Sequence, residues 1–289
     1  MHFKDEFWIA YVYGCVDEAK KLGINLTTVQ AGGYGQITNQ VNQIEDFIAK
    51  SYDGIILGAV DYEGPAQAVA QAWDNNIPVV AGNNLVKEPR TPVARTDDYA
   101  AGAMQADFIG KNYPNAKVAF LNGPAGSTWS MTRSNAFKET LKKYPGVELL
   151  TDKYHNMDRI SAMNAASDII QKYPEIDIIS NSTDLQAKGC VDALRSFGKK
   201  PGEIKITMLT MGSEAFELMK EGWMQYAIAE RPVFCGRLVV RMLAKILEGE
   251  PVEKDWKLDM PGFTNSPEDI KKFEEEEWKH NWAPEGWKP

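Results

Sequence analysis

Gly54-Ile55-Ile56-Leu57-Gly58-Ala59-Val60 is a short, near-continuously apolar run, and Ile178-Ile179-Ser180-Asn181-Ser182-Thr183 is a second run of similar character far downstream. Amphipathic helical patterns follow both, and the same strand-then-helix unit recurs throughout the interval between them. Strands without polar alternation are buried on both faces. When they alternate with helices they build a parallel sheet covered on either side. Ligands of such sheets bind at the carboxyl ends of the strands, so the short loops after the strands are where function is sought.

Upstream of Gly54 the spacing predicts a helix over Phe7–Leu22, with Val12, Val16, Ala19 and Leu22 as its apolar stripe and Gly23 as its stop. A strand over Ile24–Val29 is expected next, then the loop Ala31-Gly32-Gly33-Tyr34-Gly35. A helix carrying Ile37, Val41, Ile44 and Ile48 follows it. Downstream come a helix over Pro65–Trp73, a strand over Pro78–Ala81 and a short connecting strand within Thr91–Asp98. A second series of strands and helices begins at Tyr99 and ends in a long helix over Cys235–Leu247. About ten strands would make a large open sheet. Two similar series are expected instead to form two lobes, an N-terminal one of residues 1–98 plus about 231–256 and a C-terminal one of 99–230. The stretch from about 257 to 289, rich in Trp, Pro and Glu, is assigned to the second lobe, with Trp278, Trp282 and Trp287 packing it onto the body. The opening Met1-His2-Phe3-Lys4-Asp5 reads as a loop, so the chain begins on a helix.

With 289 residues, 44% of them hydrophobic, the chain is long enough for two cores. The formal net charge is −8 and basic residues are scattered, which argues against nucleic acid or anionic membrane as the partner. Cys15, Cys190 and Cys235 sit in helical patterns beside apolar residues and read as buried small hydrophobes. Together with the widely separated His2, His155 and His280 they give no metal-ligand spacing. No apolar run reaches the ~20 residues of a membrane span, and no signal peptide is recognised.

The loop Gly32-Gly33-Tyr34-Gly35 lies where a nucleotide fingerprint would, but G-x-G-x-x-G fails at Thr38. No P-loop, nucleophile elbow or H-E-x-x-H is present. No cofactor and no catalytic activity are therefore expected. Other residues attract attention by position. Asp5-Glu6-Phe7-Trp8 sets two carboxylates before two adjacent aromatics at a helix start. The plainer reading is dipole compensation and core packing. Adjacent helical residues do not share one face, so one ring is expected to point away from the core. Trp129 precedes a helix after a strand, Asn83-Asn84 follow a strand, and Glu230 ends one. Each has a plainer alternative: a surface tryptophan, a closed turn, a solvated loop charge.

The pattern Phe7-Trp8 … Gly14 … Glu18-Ala19 … Leu22-Gly23 resembles the opening of type I periplasmic binding proteins of the ribose-binding class. So do Asp53-Gly54-Ile55-Ile56, Ile77-Pro78-Val79-Val80, Asp97-Asp98 … Gly102, and Gly222 … Ala227-Ile228-Ala229, in the same order along the chain. Ala31-Gly32-Gly33-Tyr34, Leu57-Gly58-Ala59-Val60 and Ala283-Pro284-Glu285-Gly286-Trp287 resemble the TorT-type branch, which includes sensors of trimethylamine N-oxide. The resemblance implies two Rossmann-like αβα lobes joined by three crossing strands. A ligand lies in the cleft between them, and the lobes close on it. It implies an extracytoplasmic monomer that delivers a small molecule to an ABC transporter permease, or alternatively serves as the ligand-binding partner of a membrane sensor kinase. A regulator of the LacI type would need an N-terminal helix-turn-helix and a basic arm, and neither is found.

Carried over by position, the resemblance places ligand contacts at Asp5, Phe7, Trp8, Asn83, Asn84, Trp129, Met157, Thr183, Thr210 and Glu230. The ribose-type arginine falls at Met131, and Trp129 is expected to supply that wall, facing Trp8 across the cleft. Thr183 and Thr210 stand where sugar binders carry Asn and Asp, and Glu230 where they carry Gln. Aromatic walls with anions suit an ammonium group or a stacked sugar ring, and both remain open. The first strand of the resembled fold is missing before Phe7, which suggests a misassigned start or a fragment. The secretory signal is expected to have gone with it, leaving Ile24–Val29 and Gly54–Val60 without their shared partner.

Overall fold

The computed structural model describes residues 5–125 and 127–288. The expected opening loop at residues 1–4, and Gly126, lie outside them. In chain order the elements are α1 (Glu6–Leu22), α2 (Ile37–Ala49), β1 (Ile55–Leu57), α3 (Ala66–Asp74), β2 (Val79–Gly82), β3 (Val93–Thr96), α4 (Asp98–Asn112), β4 (Lys117–Asn122), α5 (Thr128–Leu141), β5 (Glu148–Tyr154) and α6 (Arg159–Lys172). Then follow β6 (Ile178–Asn181), α7 (Asp184–Ser196), β7 (Lys205–Leu209), α8 (Ser213–Lys220), β8 (Met224–Ile228), α9 (Pro232–Leu247), β9 (Asp255–Leu258), β10 (Gly262–Thr264), α10 (Pro267–Lys272), a π-helical turn (Phe273–Trp278) and α11 (Lys279–Asn281).

The chain divides into two compact units. The first holds the residues up to Thr96, then Arg231–Asp259, then those from Trp278 on. The second holds Asp97–Glu230 and Met260–Glu277. The tail assigned above to one lobe is thus shared. Its end belongs to the first unit because Trp282 packs on Ala10 and Val233, and Trp287 meets Tyr13 edge-on with centroids 5.3 Å apart.

The first unit has the sheet order β1-β2-β3-β9, all parallel. Helices α1 and α9 pack backbone to backbone over it. A Cβ on Gly14 would collide with the Val233 carbonyl, and one on Gly236 with that of Tyr11. Arg241 holds the buried Glu18 through a two-pronged pair at 2.6 and 3.0 Å. The core beneath contains Tyr11, Cys15, Val80, Ala94, Cys235 and Val239.

Ile24–Val29, expected as a strand, joins no ladder. Among the described residues nothing lies in register beside it, and β1 pairs only with β2. A shallow groove there is lined by Val29 and Ala31 and by Ile55–Gly58. The carbonyls of Gln30 and Ala31 accept instead from the α2 side chains Gln43 and Asn39. Without a neighbour to pair its amides, an apolar segment of strand-like composition stays irregular, and Ile24 and Val29 remain exposed.

The second unit has the order β10-β8-β7-β6-β4-β5, parallel except for β10 against β8. Val118, Phe120 and Ile178 form its interior with Phe137 of α5, and the rings of Phe120 and Phe137 stack at 4.4 Å. The three cysteines are buried thiols outside any disulfide.

Candidate functional site

In the first unit Asp5 caps α1, its carboxylate accepting from the Phe7 amide at 2.9 Å. Phe7 and Trp8 are both buried, 8% and 2% exposed, within the α1/α9 core. The expectation that one ring must turn away is corrected. At the first helical turn the two rings meet edge to face at 5.3 Å, and Trp8 continues onto Tyr11 at 5.4 Å, so both reach one cluster.

Asn83, at the end of β2, has φ +61°. Its amide donates to the Ala94 carbonyl at 2.8 Å, and its side-chain oxygen accepts from Thr96 Oγ1 at 3.2 Å. Asn84 is buried. Its Nδ2 donates to the Ala59 carbonyl at 2.7 Å and to the Tyr34 hydroxyl at 3.2 Å, while its Oδ1 accepts no hydrogen bond.

The second unit gathers more chemistry. Glu230 follows β8 and is 3% exposed. One of its oxygens accepts from Arg133 Nη2 at 2.9 Å, and the other accepts from Thr210 Oγ1. Arg133, on α5, also donates from Nε to Asp98 at 2.8 Å and from Nη1 to the Ser182 carbonyl at 2.8 Å. Burial opposes its charge, but the carboxylates of Glu230 and Asp98 more than offset this and hold its pKa above the ordinary value. The guanidinium carbon stands 4.8 Å from the centroid of the Trp129 ring. That ring in turn lies so close to Gly123 that a Cβ there would collide with it.

Thr210 is a β-branched residue held at φ +65°, a conformation that costs about 1–3 kcal/mol and persists only where its surroundings demand it. Thr183 caps α7, accepting from the Gln186 amide at 3.4 Å, and Met157 is half-buried in the loop after β5.

Several buried polar atoms collect at the carboxyl ends of this sheet without a hydrogen-bond partner. They are Asn122 Oδ1 at the end of β4, Trp129 Nε1 and Ser130 Oγ at the start of α5, His155 Nε2 after β5, and Ser182 Oγ after β6. Burial holds the His155 imidazole below its usual pKa, with Lys153 adding to the effect. Such orphaned groups each cost about 1–3 kcal/mol, so their clustering at one end of one sheet calls for an explanation. Among the described residues no group of His, Cys, Asp and Glu is arranged to hold a metal ion.

Trp129, Thr183, Thr210 and Glu230 are thus brought to one end of the second unit's sheet, while Asn83 and Asn84 end a strand of the first. The reading of the sequence did not single out Arg133, nor Asp98 as its partner. The available signal was the four-residue spacing from Trp129 to Arg133, which places both on one helical face. Met131, taken as the position of interest, is exposed.

Residues 1–251 match the family described as periplasmic binding protein domain. The D-allose-binding periplasmic protein of Escherichia coli (strain K12) is 28% identical over 247 residues, 82% of this chain and 79% of that protein. The ribose import binding protein RbsB of Bacillus subtilis (strain 168) is 25% identical, over 86% of this chain and 80% of its own length. The likeness to the TorT branch is more distant, 22% identity to the periplasmic protein TorT of Escherichia coli O157:H7 over 99% of this chain and 81% of that one. In fold, the chain superposes with a TM-score of 0.91 on the substrate-binding protein of a sugar ABC transport system from Bordetella parapertussis 12822, at 21% identity and over 100% and 93% of the two chains. These are binding proteins and not enzymes. The chain belongs to the periplasmic binding protein family, as a type I member of the ribose-binding class.

Proposed function

We propose that this protein is the extracytoplasmic receptor of an ABC transporter for a neutral, polyhydroxylated solute, a sugar or polyol, and that it works as a monomer. The observation that carries the reading is the cluster of orphaned polar atoms at the carboxyl ends of the second unit's strands. It mixes an indole donor, an amide acceptor and two hydroxyls. A sugar hydroxyl donates one hydrogen bond and accepts others, so a ring bearing several hydroxyls suits such a mixture better than a single charged group does. Trp129 supplies a flat, apolar edge for the carbon skeleton. Thr183, Thr210 and Glu230 supply fixed polar atoms, and Met157 lies in the adjoining loop.

The names of the relatives, allose and ribose receptors, support the same class of solute. Transport is preferred to sensing because the TorT likeness is the more distant one. No helix among the described residues is long and apolar enough to cross a membrane, and the family works outside the cytoplasm. A thermal-shift panel tests the reading. Aldoses and polyols, among them D-ribose, D-allose and xylitol, are set against methylated amines including trimethylamine N-oxide. A rise in Tm with one or more of the neutral compounds is expected. A rise confined to the amines would replace the reading with the sensing one.

A further inference from the structure

His155 follows directly on β5, the strand beside β4. Its amide is tethered to the end of that neighbour, donating at 3.3 Å to the carbonyls of both Asn122 and Gly123. The side chain is half-buried, yet its Nε2 is closed off from solvent and has no hydrogen-bond partner. The same holds for Oδ1 of Asn122, and for Nε1 of Trp129, whose ring presses on Gly123. A buried imidazole that serves the fold alone normally spends its nitrogen on a neighbour. The anions beside it have other partners. Asp152 accepts from Asn122, from Ser134 at 2.9 Å and from Lys138 at 2.8 Å, and Asp158 accepts from Ser161. Two charges act on the ring, Lys153 of β5 against the imidazolium and Asp168 of α6 for it. Burial sides with Lys153, and the ring is neutral at neutral pH.

We propose that His155 is a further ligand-binding residue of this site and makes its affinity proton-dependent, its unprotonated Nε2 accepting a hydrogen bond from a solute hydroxyl. The proposal rests on the sugar and polyol reading for the class of solute and adds a regulation to it. Each hydroxyl of such a solute brings one hydrogen that needs an acceptor. Trp129 Nε1 can only donate, and the two oxygens of Glu230 already take Arg133 and Thr210. Besides the hydroxyls of Ser130 and Ser182, the orphaned acceptors left are Asn122 Oδ1 and His155 Nε2. A proton on Nε2 turns this acceptor into a donor. Solute and proton therefore compete for one lone pair, and each weakens the hold of the other by the same factor. The receptor loads less of its solute in acidic surroundings.

The test uses the full chain and D-ribose, D-allose and xylitol as probes. The imidazole is titrated by NMR, its signal among the three histidines being the one that H155Q lacks. Calorimetry then measures each probe at a pH where the ring is neutral and at one where it is protonated. A probe that binds should do so at least about fivefold less tightly to the protonated form, the lower end of what a buried group left unpaired costs. H155Q, which offers an acceptor oxygen at every pH, should keep the neutral-pH affinity and lose the pH dependence. H155L should bind at least about fivefold more weakly at neutral pH and be equally insensitive to acid.

Equal affinity in the two protonation states, the same pH dependence in H155Q, full affinity in H155L, or a ring that stays neutral until acid unfolds the protein would each overturn the role of His155. If a neutral probe still binds, the sugar reading stands without it. Should no neutral probe bind at either pH, the sugar reading falls and the assignment falls with it.

Discussion

Thr210 and Asn83 stand out at the scale of single residues because each ends a strand at positive φ, +65° and +61°, without being glycine. For a β-branched side chain this is a true outlier. What holds Thr210 there is its hydroxyl on Glu230 and its amide on the Ile228 carbonyl at 3.0 Å. Two substitutions separate the strain from the hydrogen bond. Thr210→Ala loses the bond and keeps the strained backbone. Thr210→Gly loses the same bond and relaxes it. Urea unfolding should find the glycine variant more stable than the alanine one by about 1 kcal/mol, and the reverse order would mean that the backbone there is unstrained. The sequence placed Trp129 and Glu230 after strands, and there they lie. It did not announce Arg133, because a buried arginine looks like any other charged helical residue until its partners from α4, β6 and β8 converge on it. Nor did it reveal that Phe7 and Trp8 share one core, since only the local crossing of their rings allows it.

At the scale of elements, helix α6 shows how a cap becomes a pH dependence. Asp158 accepts from the Ser161 hydroxyl at 2.6 Å and the Ser161 amide at 2.7 Å, and these bonds hold its carboxyl below the ordinary carboxylate pKa. A depressed folded-state pKa gives stability that is present above the unfolded value of about 3.9 and is lost as pH falls through the folded one. Asp158→Ala should therefore cost about 0.5–2 kcal/mol near neutral pH. The gap between the denaturation curves of the two proteins should begin to shrink as pH falls below about 4 and close once pH is below the folded-state pKa, and a gap that persisted in acid would assign the cost to something other than the ionised cap. The segment Ile24–Val29 supplies the second test. Its amides should exchange with deuterium far faster than those of β4 and β6, and protection equal to theirs would show that it is paired after all. The sequence predicted that strand correctly as a pattern and wrongly as an element, because strand formation needs a neighbour that a local pattern cannot report. The short strands β9 and β10 escaped for the opposite reason. Asp255-Trp256-Lys257 is exposed, so β9 carries no apolar run, and only its register with β3 makes it a strand.

At the scale of the whole molecule, the division into two units was legible from the two strand-and-helix series. The return of the chain's end to the first unit was not, since Trp278, Trp282 and Trp287 could have packed on either. Function at this scale is thermodynamic. A solute that binds only the folded protein stabilises it by about 2.7 kcal/mol at a hundredfold excess over Kd, and a neutral polyol should do so without being consumed, as expected of a receptor with no chemistry to perform. The most direct test of the central claim is a calorimetric titration of the intact wild-type chain with D-ribose, D-allose, xylitol and trimethylamine N-oxide in turn, followed by mass spectrometry of the recovered solute. The expected result is saturable one-to-one binding of at least one neutral polyhydroxyl compound, recovered unchanged, and none of the amine oxide. Saturable binding of the amine oxide with no heat from any neutral compound, or recovery of a chemically altered sugar, would contradict the account.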